Sequence, residues 1–174
     1  MRNYFIHTLR FILFLFTQAL IFNRLEIGLG IHVMIYPLFI LLLPYNINIF
    51  ASMLISFALG LGIDSLSDTY GLHASAATLI AFLRPTIFKY FEPRDGYDEM
   101  QEMNIYEMDS RWLLSVFGLM LFVHHLWFFS LELFKFNEIG YIIKKTILSV
   151  PFSLIVCILI QIIFIKSPNN DRSK

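Results

Sequence analysis

Long apolar stretches separated by short polar segments dominate the hydropathy pattern of this chain. The hydrocarbon core of a bilayer is about 30 Å thick, and about 20 helical residues cross it. Six stretches approach that length: residues 4–22, 29–44, 47–63, 72–91, 112–134 and 141–165. The pattern therefore predicts an all-α integral membrane protein, a bundle of about six transmembrane helices that forms a single domain over residues 1–174.

Two of these stretches are less regular than the others. Stretch 29–44 is short and contains Pro37, and stretch 72–91 is interrupted by Arg84-Pro85. Because proline disfavours helical geometry in the residue before it, we expect a kink or a stop at Arg84. Either stretch could instead be a short, tilted or re-entrant helix, which requires that its freed backbone groups face protein or water. We expect Arg84 itself to anchor the helix at the headgroup level.

Composition agrees with a membrane location. Hydrophobic residues make up 57% of the chain and charged residues 15%, whereas a typical soluble domain has about half apolar and about a quarter charged residues. The formal net charge is zero, so no basic patch for nucleic acid is expected. The single cysteine, Cys157, lies in an apolar stretch and is read as a packing residue.

Basic residues predict the orientation of the six spans. With the N-terminus inside, 9 of the 13 basic residues fall on the inner side and 4 on the outer side, the latter being Arg24, Lys135, Lys144 and Lys145. This excess predicts cytoplasmic N- and C-termini. It also places the acidic loop 92–110 and the polar tail 166–174 in the cytoplasm, and we expect residues 97–106 to form an interfacial helix that contacts a partner.

The turn after the third span contains the first cluster of polar residues. Gly60 and Gly62 permit close helix contact, Asp64 and Asp68 are one helical turn apart, and Gly71 precedes His73. Three interpretations are open: capping that fixes the hairpin between spans 3 and 4, an interface or cavity site, and a metal site, for which a fourth ligand is missing.

The fifth span contains the second cluster, His124, His125 and Glu132. Such polar groups should point into the bundle, either for interhelical hydrogen bonding or for a proton relay or binding role. From the order of the spans, we expect Asp64, Asp68 and Glu132 to meet at the outer end. There, backbone N–H groups at the start of span 4, His73, Arg24 or Lys135 would serve as their donors.

No pattern typical of an active site accompanies these clusters. The chain shows no Ser/His/Asp order, no metal-spaced histidine pair and no phosphate-binding loop, and Gly28-Leu29-Gly30 is too short to indicate one. The sequence therefore predicts a protein that is not an enzyme and that needs no cofactor or resident metal.

Several local strings, taken in order, resemble one known family. They are residues 23–27, residues 35–44, residues 60–74 with Gly60, Gly62, Asp64, Asp68, Gly71 and His73, residues 80–85 with Arg84-Pro85, residues 94–97, and His124-His125. Together they resemble the rod shape-determining MreD family in the form carried by Bacteroidetes-type bacteria. The resemblance covers nearly the whole chain and is most specific over residues 60–85.

The resemblance implies a six-span protein of the bacterial inner membrane with no catalytic activity. Its implied partners are MreC and the elongation complex that contains the actin-like MreB, the RodA polymerase and a class B penicillin-binding transpeptidase. It also implies a helical bundle similar to the substrate-binding subunits of energy-coupling-factor transporters.

Two functions of different classes follow as hypotheses. The first is a structural and regulatory subunit for lateral wall synthesis. The alternative is a small-molecule or lipid-binding transport subunit of the energy-coupling-factor type. A large unfilled cavity that opens outward near Asp64, Asp68 and Glu132 would favour the alternative. A cavity filled by Phe and Leu side chains, together with an exposed apolar outer groove, would favour the first.

Overall fold

The computed structural model describes residues 2–25, 28, 30–94, 96–97, 103–134 and 136–165. These residues form six α-helices and no β-strand: α1 (Arg2–Leu20), α2 (Pro37–Leu41), α3 (Ile49–Ser67), α4 (Leu72–Tyr90), α5 (Ser110–Leu133) and α6 (Ile139–Phe164). Four stretches, which comprise most of α1 and all of α3, α5 and α6, are long and apolar enough to cross a membrane. The all-helical fold is thereby confirmed, and these four stretches support a membrane protein by their length and composition. The expected six spans are not confirmed, since α2 and α4 are not among the four.

The five long helices form an arc in the order α1, α3, α4, α5, α6. Helix α4 packs between α3 and α5, α1 packs on α3, and α6 packs on α5. Helices α1, α3 and α5 finish at the same end of the bundle at which α4 and α6 begin, and we call this end the Asp64 end. The opposite end is called the Arg84 end.

The segment 31–44 runs through the centre of this arc. Its first residues contact α1 and α6 near the Asp64 end, and its last residues contact Arg84 of α4. Residues 33–43 are buried without exception. Their large apolar side chains, together with Phe117, Phe128 and Phe129 of α5, fill the middle of the bundle.

The expectation of a helix over residues 29–44 is wrong for most of this range. The chain is not helical until Pro37, where α2 begins and lasts for only five residues. Gly28 and Gly30 have positive φ angles of 80° and 73°, which lead the chain into the non-helical path. Proline favours the first turn of a helix, because it lacks the N–H that would be unpaired there. The expected interfacial helix over 97–106 includes residues 98–102, and these, like the tail 166–174, lie outside the described residues.

The expected stop at Arg84-Pro85 is also absent. Helix α4 continues through Pro85 to Tyr90, so its bounds agree with the predicted stretch 72–91. Packing on both sides explains the continuity, since α4 is enclosed by α3 and α5 and its inner face is rich in alanine.

Gly60 sets the close approach of α3 and α4. A Cβ atom at Gly60 would lie 2.4 Å from the Cα atom of Ala74 and 2.6 Å from its nitrogen. These are backbone atoms of the facing helix, so a side chain would force the two helices apart. The close contact that the glycines suggested is therefore formed at Gly60. At Gly62 a Cβ atom would meet only the end of the Leu15 side chain, which can shift.

We predict that Gly60→Ala destabilises the bundle by about 1–3 kcal/mol, the typical cost of forcing extra volume into a packed core. Gly118→Ala is the matched control, because Gly118 also lies in a long helix and a Cβ atom there meets nothing within 4 Å. Thermal unfolding in detergent should show a lower midpoint for the first variant and an unchanged or higher midpoint for the second. Equal midpoints for both variants would contradict the packing argument.

Candidate functional site

The non-helical segment 31–35 obtains its hydrogen bonds from side chains of the flanking helices. The backbone N–H groups of His32 and Met34 donate to Ser149 Oγ and Ser153 Oγ of α6, at 3.1 Å and 3.0 Å. On the α1 side, Gln18 Oε1 accepts from the N–H of Ile35 at 2.7 Å, and Gln18 Nε2 donates to the carbonyl of Val33 at 3.1 Å. Unpaired backbone groups are costly inside a bilayer. These side-chain partners therefore allow the non-helical segment to lie inside the bundle.

One face of α6 provides polar side chains that can bond to the central segment. Lys145, Ser149, Ser153, Cys157 and Gln161 follow one another at a spacing of four residues, and all five are buried. Side chains four residues apart share a helix face. This stripe is the sequence signal that sequence reasoning missed, since the serines were not singled out and Cys157 was considered alone.

The backbone N–H of Ile35 also fixes the direction of a longer hydrogen-bond chain. Because this N–H can only donate, the Gln18 atom that it meets must be the oxygen. Gln18 Nε2 is then a donor, and it reaches Asn23 Oδ1 at 2.7 Å. The other amide atom of Asn23 is consequently the nitrogen Nδ2, which donates to Ser67 Oγ at 2.8 Å and faces His73 Nε2 at 3.1 Å.

From Asn23 the same direction continues into the centre of the bundle. His73 Nε2 accepts, so the neutral ring carries its proton on Nδ1 and donates to the Tyr36 hydroxyl oxygen at 3.1 Å. Tyr36 then donates to His124 Nε2 at 2.5 Å. This leaves the proton of His124 on Nδ1, a buried atom that has no hydrogen-bond partner among the described residues. His73, Tyr36 and His124 thus form a one-way chain of donors from the Asp64 end inward.

Asp64 caps α4. Its Oδ1 accepts from the backbone N–H of His73 at 3.0 Å and from Thr69 Oγ1 at 2.5 Å, and its Oδ2 accepts from the N–H of Ala74 at 2.9 Å. This is the capping interpretation, with the predicted donors at the start of span 4. No group of three His, Cys, Asp or Glu in the described part of the chain could hold a metal ion.

Asp68 does not share this environment. Helix α3 ends at Ser67, and Asp68 has a left-handed backbone with φ of 54°. Its side chain is exposed. Asp64 and Asp68 are one helical turn apart in the sequence but do not share a helix face, because the helix does not persist through the second aspartate.

Arg84 points into the protein, so the expectation of a headgroup anchor is wrong. The side chain is 2% exposed, and its Nη2 donates to the carbonyl oxygens of Leu41, Leu43 and Pro44 at 3.4, 2.5 and 3.3 Å. These carbonyls follow the short helix α2, whose C-terminal end has no further helical partners. The guanidinium also lies 4.5 Å from the centre of the Phe88 ring. Arg84 thus caps the far end of the buried segment.

The histidine pair of α5 lies inside the bundle, as the sequence predicted. His124 and His125 are both fully buried. His125 Nδ1 donates to the carbonyl of Leu121 at 2.8 Å, and its Nε2 accepts from Ser153 Oγ at 3.0 Å. Because Ser153 Oγ also accepts from the N–H of Met34, His125 helps to hold segment 31–35 in place.

Glu132 is paired with a cation that the sequence did not suggest. Lys145 Nζ of α6 lies 2.6 Å from Glu132 Oε2, and it also lies 4.4 Å from the centre of the Phe129 ring. The expected donors were Arg24 and Lys135, of which Lys135 lies outside the described residues. Lys145 was missed because a lysine near the start of α6 resembles an interfacial anchor.

A half-open cavity of about 260 Å³ lies at the Asp64 end. Asp68, His73 and Glu132 line it, and Asp64 does not. The expected meeting of three carboxylates is thus formed only in part. The remaining lining residues include Asn23, Arg24 and His32, with an apolar floor formed by side chains such as Ala19, Leu66 and Phe128.

The Arg84 end is closed by an aromatic cluster. Tyr97 donates to the carbonyl of Phe88 at 2.8 Å and accepts from Trp112 Nε1 at 2.9 Å. Burial raises the pKa of Tyr97 to about 12, so the phenol remains a donor at neutral pH. This cluster fastens the loop after α4 to the start of α5.

Comparison of the chain with protein-family models, with curated proteins and with solved structures gives no match. The functional interpretation therefore rests on the residues of the chain and on their geometry.

We predict that Asp64→Asn lowers the stability of the protein by about 1–3 kcal/mol, because an amide has one acceptor for three donors and leaves buried N–H groups unpaired. Asp68→Asn is the control, since asparagine tolerates the left-handed conformation and the aspartate is exposed. Thermal unfolding in detergent and the abundance of each variant in membranes measure the difference. An Asp68→Asn variant as unstable as Asp64→Asn would contradict the assignment of Asp64 as the cap of α4.

We predict that Tyr36→Phe also destabilises the bundle by about 1–3 kcal/mol, because it leaves His73 Nδ1 and His124 Nε2 unpaired in a buried place. Tyr90→Phe, at an 84% exposed tyrosine, should change the stability by less than about 0.5 kcal/mol. Chemical denaturation of the detergent-solubilised variants distinguishes the two. Indistinguishable curves would show that the hydroxyl does not join the histidines.

Proposed function

We propose that the chain is a non-catalytic subunit of the bacterial cell-wall elongation complex, a protein of the MreD type that acts in rod shape through MreC. The observation that carries the proposal is where the resembling strings lie in the fold. Residues 35–44 belong to the central segment 31–44. Gly60, Asp64, His73 and Arg84 are the residues that hold α3, α4 and that segment together. The resemblance therefore involves the framework of the protein rather than its apolar surface.

The distribution of polar groups supports a scaffold. Asp64, His73, Arg84 and His125 all have hydrogen-bond partners within the bundle, and large aromatic and aliphatic side chains fill its middle. The exposed faces of α1, α3 and α6 are strongly apolar, as lipid or a partner's transmembrane helix requires. Such a protein suits a role in holding other membrane proteins in place.

The alternative function, a binding subunit of the energy-coupling-factor transport type, is favoured by one observation, the cavity at the Asp64 end. At about 260 Å³, it is smaller than the about 300–1,000 Å³ that is usual for pockets of drug-sized ligands. The filled centre of the bundle also favours the scaffold over a transport subunit.

The proposal includes the location and the orientation. We place the protein in the inner membrane with both termini in the cytoplasm, on the excess of basic residues on that side. The Asp64 end would then face outward and the Arg84 end would face the cytoplasm, where MreB lies.

The proposal is tested by depletion of the protein in the rod-shaped bacterium that encodes it. We expect the depleted cells to become round and to regain their rod shape with the wild-type gene. We also expect MreC, and with it RodA and the class B transpeptidase, to co-purify with the tagged protein in mild detergent. Asp68→Asn serves as the folded control when the abundance of the Asp64→Ala variant in membranes is measured.

Two results would overturn the proposal. The first is a normal rod shape after complete depletion. The second is a loss of uptake of a specific small molecule together with normal shape, which would instead establish the transport alternative. Asp64→Ala separates framework from partner contact, since a framework role lowers the abundance of the protein, whereas a partner role abolishes rod shape at normal abundance.

A further inference from the structure

The cavity at the Asp64 end has charged groups of both signs that lack partners among the residues that the structure describes. The carboxylate of Asp68 and the guanidinium of Arg24 both line it, and both are exposed. No ion pair joins them, and neither side chain has a hydrogen-bond partner among the described residues. Each is therefore available to a molecule that enters the cavity.

Glu132 adds a second acceptor. Lys145 occupies its Oε2, and Oε1 has no hydrogen-bond partner in the described part of the chain. Two carboxylates that can accept hydrogen bonds suit a primary ammonium group, which has three N–H donors.

The size of the cavity limits the ligand. Its volume of about 260 Å³ lies just below the range of about 300–1,000 Å³ that is usual for pockets of drug-sized ligands. This favours a smaller molecule, such as the zwitterion phosphoethanolamine. Its ammonium would face Asp68 and Glu132, and its anionic group would face Arg24, whose planar guanidinium suits phosphate oxygens.

The position of the cavity allows two sources for such a molecule. The exposed side chains of Tyr70 and Tyr141 lie at the same end of the bundle, and tyrosines are enriched at the headgroup level of membranes. A phospholipid could therefore present its headgroup here, and a free zwitterion could enter from the water. The apolar floor, which includes Ala19 and Phe128, tolerates the carbon chain of either.

We propose that this cavity is a binding site for a zwitterion with a primary ammonium and a phosphate group, either as a phosphatidylethanolamine headgroup or as a free molecule. The site adjoins the buried network, because Asn23 and His73 of that network also line the cavity. Asp68, Arg24 and Glu132 themselves do not take part in the hydrogen bonds of segment 31–35. The proposal does not depend on the role in cell shape.

The test uses the full-length protein reconstituted in vesicles with equal amounts of phosphatidylethanolamine, phosphatidylcholine and phosphatidylglycerol. Native mass spectrometry after gentle detergent extraction measures which lipid is retained. Separately, soluble phosphoethanolamine is titrated against the detergent-solubilised protein, and thermal unfolding reports its binding. We expect preferential retention of phosphatidylethanolamine, a stabilising shift with phosphoethanolamine, or both, and these two arms distinguish the lipid from the free molecule.

Variants connect the binding to the cavity. Asp68→Asn and Arg24→Gln should each weaken binding about threefold to tenfold, as expected for a partly exposed charged pair. Glu92→Gln and Arg94→Gln, which remove an exposed acid and an exposed base at the Arg84 end, should leave it unchanged. The proposal is overturned if no arm shows selectivity for the primary-ammonium zwitterion. Equal effects of the cavity variants and their controls would overturn it as well.

Discussion

The fold depends on the hydrogen bonding of a non-helical backbone segment in the middle of the bundle. Residues 31–35 have no helix or sheet partner, and all of them except His32 are buried, so their N–H and C=O groups require partners from other elements. Gln18 of α1 and the two serines of α6 provide these partners from opposite sides. The segment thereby connects the two ends of the arc of helices, which do not otherwise pack extensively on each other.

The same constraint explains why the far end of the segment needs Arg84. A short helix of five residues leaves its terminal carbonyls unpaired, and Nη2 of Arg84 reaches the carbonyl of Leu41, the last residue of this helix, together with those of Leu43 and Pro44. The positive charge is then compensated by carbonyl dipoles and by the face of Phe88 rather than by a carboxylate of the described residues.

The sequence was sufficient to predict the helices whose apolar pattern is continuous, and to place His124 and His125 inside. It was not sufficient for segment 29–44, because burial on all sides gives an extended chain and a helix the same apolar composition. Arg84 was misjudged for a related reason, since an arginine beside a proline near the end of an apolar stretch is usually an anchor. Its actual partners are backbone carbonyls, which have no signal in the sequence. The partner of Asp64 was predictable, because it lies nearby in the chain.

The four-residue stripe on α6 has a consequence for how the protein is made. Segment 31–35 leaves the ribosome early, whereas Ser149 and Ser153 belong to the last helix of the described chain. Until that helix is synthesised, two backbone N–H groups of the segment lack the acceptors that they have in the finished fold. The segment therefore reaches its full set of backbone hydrogen bonds only after the C-terminal helix has been synthesised.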